Sequence, residues 1–241
     1  MTELLFSKDC YLREFDASVV SFSGNLVEID KTAFYYTSGG QPNDTGKLVC
    51  DGLEYAVLDV FKDKATGKIL HKLDKEHVPV NPELPVPVHG IIDWNRRFMH
   101  MRHHTALHVL SRVVLDVLGN FVTSSQIYAD RARIDFDSGA LGPEKIKLIE
   151  EKTNEIIKRN LPVSISFVPR DEALKTPDLI RTKVNLVPES VAIIRIIGIE
   201  GFDRQACGGT HVGNTGEIGT LKITKTESKG AERRRIEIAL I

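Results

Sequence analysis

Cysteine is scarce: the 241 residues contain three, at positions 10, 50 and 207. Three widely spaced thiols do not make a disulfide framework, and the chain fits a reducing, cytoplasmic setting. Long apolar runs are missing too. No stretch approaches 18 uninterrupted apolar residues, so no membrane span is expected. The first ten residues carry Lys8 and Asp9 and lack an apolar core, which argues against a secretory signal. Neither sign of charge is in excess. The formal net charge of −1 excludes a strongly basic protein, so a nucleic-acid partner requires a local basic patch. Internal repeats, heptads and low-complexity tracts are absent. What remains is an ordinary globular composition, 41% hydrophobic and 27% charged, long enough for one large core or two modest ones.

The pattern changes along the chain. Residues 1 to about 90 read as β. Short runs at Val19–Ser23, Asn25–Ile29, Lys47–Cys50, Tyr55–Phe61 and Lys68–Leu73 are divided by Gly24, Gly39-Gly40, Asp51-Gly52 and Thr66-Gly67. Strands at this spacing predict a small barrel or sandwich, and the barrel-like domain is the expectation taken forward. Pro79, Pro82, Pro85 and Pro87 follow and read as a connector or an edge. From about residue 91 the sequence mixes elements. Arg96–Leu118 predicts a long amphipathic helix with Leu107, Leu110, Val114 and Leu118 on one face. Ser125–Phe136 alternates as a strand. Pro143 opens a second helix to Arg159. Val163–Val168 and Val191–Ile199 are strands, Glu172–Leu174 starts a short helix, and Glu217–Thr226 and Arg235–Leu240 close a sheet. Strands and helices without a βαβ period predict an α+β domain with a mixed or antiparallel sheet.

Two spaced pairs carry the chemistry. His104 and His108 form H-x-x-x-H on the long helix, which puts both imidazoles on one face, a turn apart. Cys207 and His211 form C-x-x-x-H a hundred residues later, within Cys207-Gly208-Gly209-Thr210-His211. The chain has eight histidines, and His100 and His103 share the same helix, so the histidine pair alone is weak. The C-G-G-T-H setting is the stronger signal, because two glycines permit a tight turn and close backbone approach. Cysteine and histidine are donors that suit a borderline-soft ion. The four residues together predict one Zn²⁺ per chain, tying two distant segments.

These motifs, taken in order, resemble those of the alanyl-tRNA editing proteins known as AlaX, in their medium-length form, and of the editing domain of alanyl-tRNA synthetases. The resemblance runs nearly end to end. It rests on Gly39-Gly40-Gln41-Pro42-Asn43-Asp44-Thr45-Gly46, on Asp93-Trp94 with Arg96-Arg97 leading into His104-Thr105-Ala106-Leu107-His108, on Cys207 to Val212 followed by Thr215 to Gly219, and on Arg234-Arg235-Ile236-Glu237. It implies a zinc-containing aminoacyl-tRNA deacylase, with residues 1–90 as a barrel-like domain and 91–241 as the editing domain. The implied substrate is tRNA(Ala) mischarged with serine, and then with glycine. It implies His104, His108, Cys207 and His211 as metal ligands. One departure stands out: Leu107 occupies a position where many synthetase editing sites carry threonine, so one hydroxyl linked to serine selection is absent.

Discrimination itself has a physical basis. A pocket sized for alanine rejects an added hydroxyl by only about 10²-fold, whereas a site that hydrogen-bonds the serine hydroxyl disfavours alanine far more strongly. Candidate hydroxyl readers are Gln41, Thr105, Ser124, Ser125, Gln126 and Thr210, and Gly39 and Gly40 are further candidate substrate-binding residues. The glycine-rich loop at 39–42 is expected to fold over the amino-acid pocket. No residue is assigned to water activation. Lys222, Lys225, Lys229, Arg233, Arg234 and Arg235 crowd the end of the chain and are the candidate tRNA contacts. Two rivals stand beside the deacylase: a zinc-stabilised RNA-binding module without catalysis, and a metal-dependent hydrolase of small esters.

Overall fold

The computed structural model describes residues 2–75, 84–139, 141–176, 179, 191–230 and 232–241. Pro79 and Pro82 lie outside the described residues. The chain divides into two compact units, Met1–Phe98 and Met99–Ile241.

The first unit is a closed six-stranded barrel. A short β1 (Glu3–Leu4) pairs in parallel with β4 (Lys31–Thr32) outside it. The barrel is built from β2 (Glu14–Ser23), β3 (Leu26–Ile29), β5 (Gly46–Cys50), β6 (Leu53–Lys62), β7 (Ile69–Leu73) and β8 (Val86–Ile92), closed in the order β2-β3-β7-β6-β5-β8. Alternation explains it: Phe15, Ala17 and Val19 of β2 are buried while Asp16 faces out. They meet Val27, Ile29, Phe34, Leu48, Val57, Val60, Leu73 and Val88 in one core. Asp51 (φ 48°) and Gly52 (φ 76°) form the two-residue link from β5 to β6, where only a left-handed pair matches the strand twist. Gly90 makes room for Phe15, whose ring would lie 2.3 Å from any added Cβ.

The end of the proline-rich segment, read as a connector or an edge, is a strand: Pro87 lies in β8 (Val86–Ile92) of the barrel. That strand pairs with β2 from Val86 to Ile91, whereas pairing with β5 begins only at His89. Pro87 therefore sits where one side of the strand has no ladder to join, which is where a residue without an N–H is tolerated.

The glycine-rich motif and the Asp93–Arg97 motif meet inside this unit. Arg97 is fully buried, and its Nε donates to both Asp44 carboxylate oxygens at 3.0 and 2.9 Å. Its Nη1 donates to the Cys10 carbonyl and its Nη2 to the Ala33 carbonyl and to Asp44. Asp44 also accepts the Tyr35 N–H at 2.6 Å, and Arg96 Nε donates to the Asn43 carbonyl at 2.9 Å. The guanidinium thus has its charge neutralised and its donors directed to fixed acceptors, as a buried arginine requires.

The second unit carries most of α1 (Trp94–Leu118), which opens on Asp93, whose Oδ1 accepts the Arg96 N–H at 3.2 Å, and stops at Gly119 (φ 70°). The strands β9 (Val122–Ile127) and β10 (Ala132–Asp137) precede α2 (Pro143–Lys158). Then come β11 (Val163–Pro169), α3 (Arg170–Ala173), β12 (Ile193–Ile199), β13 (Asp203–Ala206), β14 (Leu221–Ser228) and β15 (Arg233–Leu240). They form two antiparallel sheets, ordered β14-β15-β10-β9 and β11-β12-β13. Leu107, Leu110, Val113 and Val114 of α1, Ile149 and Ile157 of α2, and Ile134, Phe136, Ile236 and Ile238 of the larger sheet are buried.

Two expected strands are shorter than the sequence pattern suggests. Ser125–Phe136 is a hairpin, turned where Tyr128 N donates to the Arg131 carbonyl at 2.8 Å. Its apolar alternation runs through the turn and hides it. The start of Glu217–Thr226 is a 3-10 turn, Thr215–Ile218, opened by a reciprocal Asn214–Glu217 cap. No helix of the described residues is long and apolar enough to cross a membrane.

Candidate metal centre

Helix α1 brings His104 and His108 one turn apart, with ring centroids 5.3 Å from each other. β13 ends at Ala206, and the Cys207–His211 loop turns back onto that helix face. The His211 ring lies 4.3 Å from His104 and 4.5 Å from His108. Cys207 Sγ is 3.4 Å from both His104 Nε2 and His211 Nε2. One donor atom from each of the four residues falls within 4.8 Å of the others, so the group can hold a metal ion. The three histidines are buried, and Cys207 alone is half-exposed.

The surroundings fix the donor atoms. Burial first, and then the neighbouring His108, Arg195 and His100, hold His104 well below the usual histidine range. Burial first, and then His104, His108 and Arg195, do the same for His211. Both imidazoles are therefore neutral and offer a lone pair. Thr105 selects which nitrogen of His211 offers it. The Thr105 hydroxyl donates to the Met101 carbonyl at 3.0 Å and accepts the Val212 N–H at 3.2 Å. Its remaining lone pair faces His211 Nδ1 at 3.2 Å, so Nδ1 carries the proton and Nε2 is left toward Cys207.

Arg195 clamps the loop, and sequence reasoning overlooked it. Its Nη1 donates to the carbonyls of Cys207 at 2.8 Å and Gly209 at 2.7 Å, while its own carbonyl accepts the Cys207 N–H at 3.1 Å. The signal was present: Arg195 is the single charge in the otherwise apolar run Val191–Ile199. Gly209 N–H points at Cys207 Sγ from 3.4 Å, which favours a thiolate. Gln205 ties β13 to α1 by donating to Ser111 Oγ at 3.0 Å, and it also donates to Asp203 of its own strand at 2.5 Å.

The remaining candidate residues are distributed unevenly. Thr105 and Thr210 are fully buried in the second unit, and the Thr105 hydroxyl has no proton or lone pair left over. Ser124, Ser125 and Gln126 lie on β9, an edge strand. Ser124 is exposed and donates to Asp135 at 3.0 Å, and Gln126 Nε2 donates to the Ile127 carbonyl at 3.2 Å. Gly39 (φ 55°) and Gly40 (φ 81°) turn the chain between Ser38 and Gln41 in the first unit, and Gln41 is fully buried there.

The basic stretch is a hairpin, β14 to β15, and much of its charge is matched. Lys222 meets Glu150 at 2.7 Å, and Lys229 meets Glu227 at 2.6 Å. Lys225 also pairs with Glu227, Arg235 meets Asp135 at 2.6 Å, and Arg233 lies 3.8 Å from Asp137. Arg234 instead donates to neutral acceptors, Ser228 Oγ and the carbonyls of Gly230 and Arg233.

Comparison with known proteins follows the same division. Residues 194–237 match the family described as threonyl and alanyl tRNA synthetase second additional domain. Residues 7–96 match class II (A) tRNA synthetases. The chain is 42% identical to the alanyl-tRNA editing protein AlaX-M of Methanosarcina mazei, across 100% of this chain and 97% of the relative. It is 41% identical to AlaX-M of Saccharolobus solfataricus, across 98% of each. It is 43% identical to the alanine–tRNA ligase of Pyrococcus furiosus, across 96% of this chain but only 25% of that longer protein. With a His-His-Cys-His cluster built on these motifs and full-length likeness to several such proteins, the chain belongs to the AlaX-M family of alanyl-tRNA editing proteins.

Proposed function

We propose that this protein is a trans-acting deacylase that hydrolyses the ester of mischarged tRNA(Ala), removing serine and also glycine, with one Zn²⁺ held by His104, His108, Cys207 and His211. The observation that carries this reading is the four-residue donor cluster in a chain alike from end to end to AlaX-M proteins. The donor set fits zinc: neutral imidazole nitrogens and a thiol with an N–H aimed at its sulfur are soft-to-borderline ligands, and their donor atoms lie within 4.8 Å of one another. In this reading the second unit is the editing domain and the barrel is its companion.

When bound, the ion would organise the site and polarise the ester carbonyl. The chain's own residues do the rest. Thr105 keeps His211 in one tautomer, and Arg195 holds the Cys207–Gly209 backbone in place. The buried histidines close the inner side, so the substrate approaches along the half-exposed Cys207 side. Ser124, Ser125, Gln126 and Thr210 supply the hydroxyl-reading groups. Ser124 is the preferred one, because Asp135 orients its exposed hydroxyl and leaves its oxygen able to accept the serine O–H. Arg233 and Arg234 provide tRNA backbone contacts.

The test is release of serine from seryl-tRNA(Ala), compared with alanine from alanyl-tRNA(Ala), with and without a zinc chelator. Turnover of the serine ester that the chelator abolishes supports the proposal. Absence of turnover, with tRNA binding intact, would favour a zinc-stabilised RNA-binding module instead. Equal turnover of a simple serine ester would favour a small-ester hydrolase.

A further inference from the structure

The smaller sheet carries one row of side chains that begins at the metal centre and ends in solvent. Phe167 of β11 is directly opposite Arg195 of β12. On the other side of β12 the register pairs Ile196 with Ala206, and the Cys207 N–H to Arg195 carbonyl bond extends it by one step. Directly opposed residues of antiparallel strands project to the same face. Cys207, Arg195 and Phe167 therefore stand side by side on one face, and two interstrand gaps put Phe167 about 10 Å from Cys207. The row is buried at its inner end and open at its outer end: Arg195 is 9% exposed, whereas Phe167 is 49% exposed. Pro169 and its partner Ile193, on the same face one pair further along, are exposed as well, Ile193 to 53%.

A large aromatic ring is thus left half in water beside two more exposed apolar residues. It has the form of a stacking surface. Resting on the proposed deacylation, we propose that Phe167, flanked by Ile193 and Pro169, is the platform on which the 3′-terminal adenine of the tRNA stacks while the esterified amino acid lies at the metal centre. The ester joins the amino acid to the terminal ribose, and the base leaves the same ribose on its other side. Base and amino acid are separated by one sugar ring, which matches a row with the metal ligand at one end, Arg195 between, and the aromatic at the other. Stacking also reads any adenosine without hydrogen-bond specificity, which suits an end that all tRNAs share.

The test uses the full-length chain with zinc and a seryl-adenosine in which an amide replaces the ester, so that the ligand is not consumed. Phe167→Ala should weaken its binding about tenfold, within the range of one lost base–aromatic stack. Phe167→Tyr, which keeps the ring, should bind within twofold of the parent. Zinc content of both variants should equal the parent's. Binding of Phe167→Ala within twofold of the parent would overturn the proposal, and so would Phe167→Tyr as weak as Phe167→Ala. The deacylase reading is judged separately: Phe167-dependent binding of the amide by a chain that fails to release serine from seryl-tRNA(Ala) would retain the platform and discard the hydrolase. Failure of the parent to bind the amide at all would discard the platform.

Discussion

Thr105 Oγ1 lies 3.2 Å from His211 Nδ1, and that contact decides which nitrogen of His211 can bind a metal ion. The hydroxyl proton is committed to the Met101 carbonyl, so the oxygen can only accept from the ring. Groups that orient a ligand histidine in this way contribute about 10–100-fold to metal affinity. Thr105→Val keeps the shape and removes the acceptor. It should lower zinc affinity, measured by competition with a chromogenic chelator, by at least tenfold. Thr105→Ser, which restores the oxygen, should recover most of the loss. Equal affinity in Thr105→Val and the parent would show that the tautomer is set elsewhere.

A second prediction concerns the barrel. Asp44 and Arg97 are both without solvent exposure, and each holds several hydrogen bonds. Removing one charge of such a pair strands the other, at a cost of about 3–5 kcal/mol. Arg97→Met and Asp44→Asn should each lower the urea midpoint by a corresponding amount. Joint replacement of both should cost less than the sum of the two single changes. Additive losses would mean that the two residues act independently.

These two relationships mark what the sequence made readable. The pairs His104/His108 and Cys207/His211 were readable because helical spacing and a glycine turn constrain where short donors point. A small all-β first unit, barrel or sandwich, was readable from strand length and turn residues such as Asp51-Gly52, whereas closure of the barrel was not. One partner of the Gly39–Gly46 motif was not readable either: its Asp44 is the buried counterion of Arg97, a pairing across 53 residues that no local pattern encodes. Arg195 escaped notice because an apolar strand was read by its majority. The basic tail looked cationic in one dimension. Its neutralising partners Asp135, Asp137 and Glu150 come from β10 and α2, which only the tertiary fold brings alongside.

Asp135 supplies a pH-dependent prediction. Burial by itself raises its pKa, but the hydrogen bonds from Arg235 and Ser124 and the charges of Arg235 and Arg133 outweigh that and bring it below the usual aspartate range. A folded-state pKa below the unfolded value stabilises the protein above the unfolded pKa of about 3.9, and the contribution disappears as pH falls through the folded value. Asp135→Asn should therefore melt lower than the parent by a constant margin between about pH 5 and 7. Below about pH 4 the margin should begin to shrink, and it should close once pH falls below the lowered folded-state value, where the parent's carboxyl is protonated as well. A margin that persists unchanged into acid would point to lost shape rather than lost charge.

The last prediction separates matched from unmatched cations on the β14–β15 hairpin. Counterion release on RNA binding requires a cation that can leave its protein partner for a phosphate. Lys222, Lys225 and Lys229 are engaged by Glu150 and Glu227 at close range, while among the described residues Arg234 bonds only neutral groups and Arg233 is 3.8 Å from its acid. Replacing Arg233 and Arg234 together by glutamine should reduce the slope of log affinity against log salt by about 1 to 2, since each phosphate contact contributes roughly 0.7–0.9. Replacing Lys222 and Lys225 together by glutamine should change the slope by less than half as much, because each of those lysines is already held by a glutamate. A larger effect from the lysine pair would show that tRNA displaces the glutamates. An unchanged slope in both variants would place the tRNA backbone on a different surface.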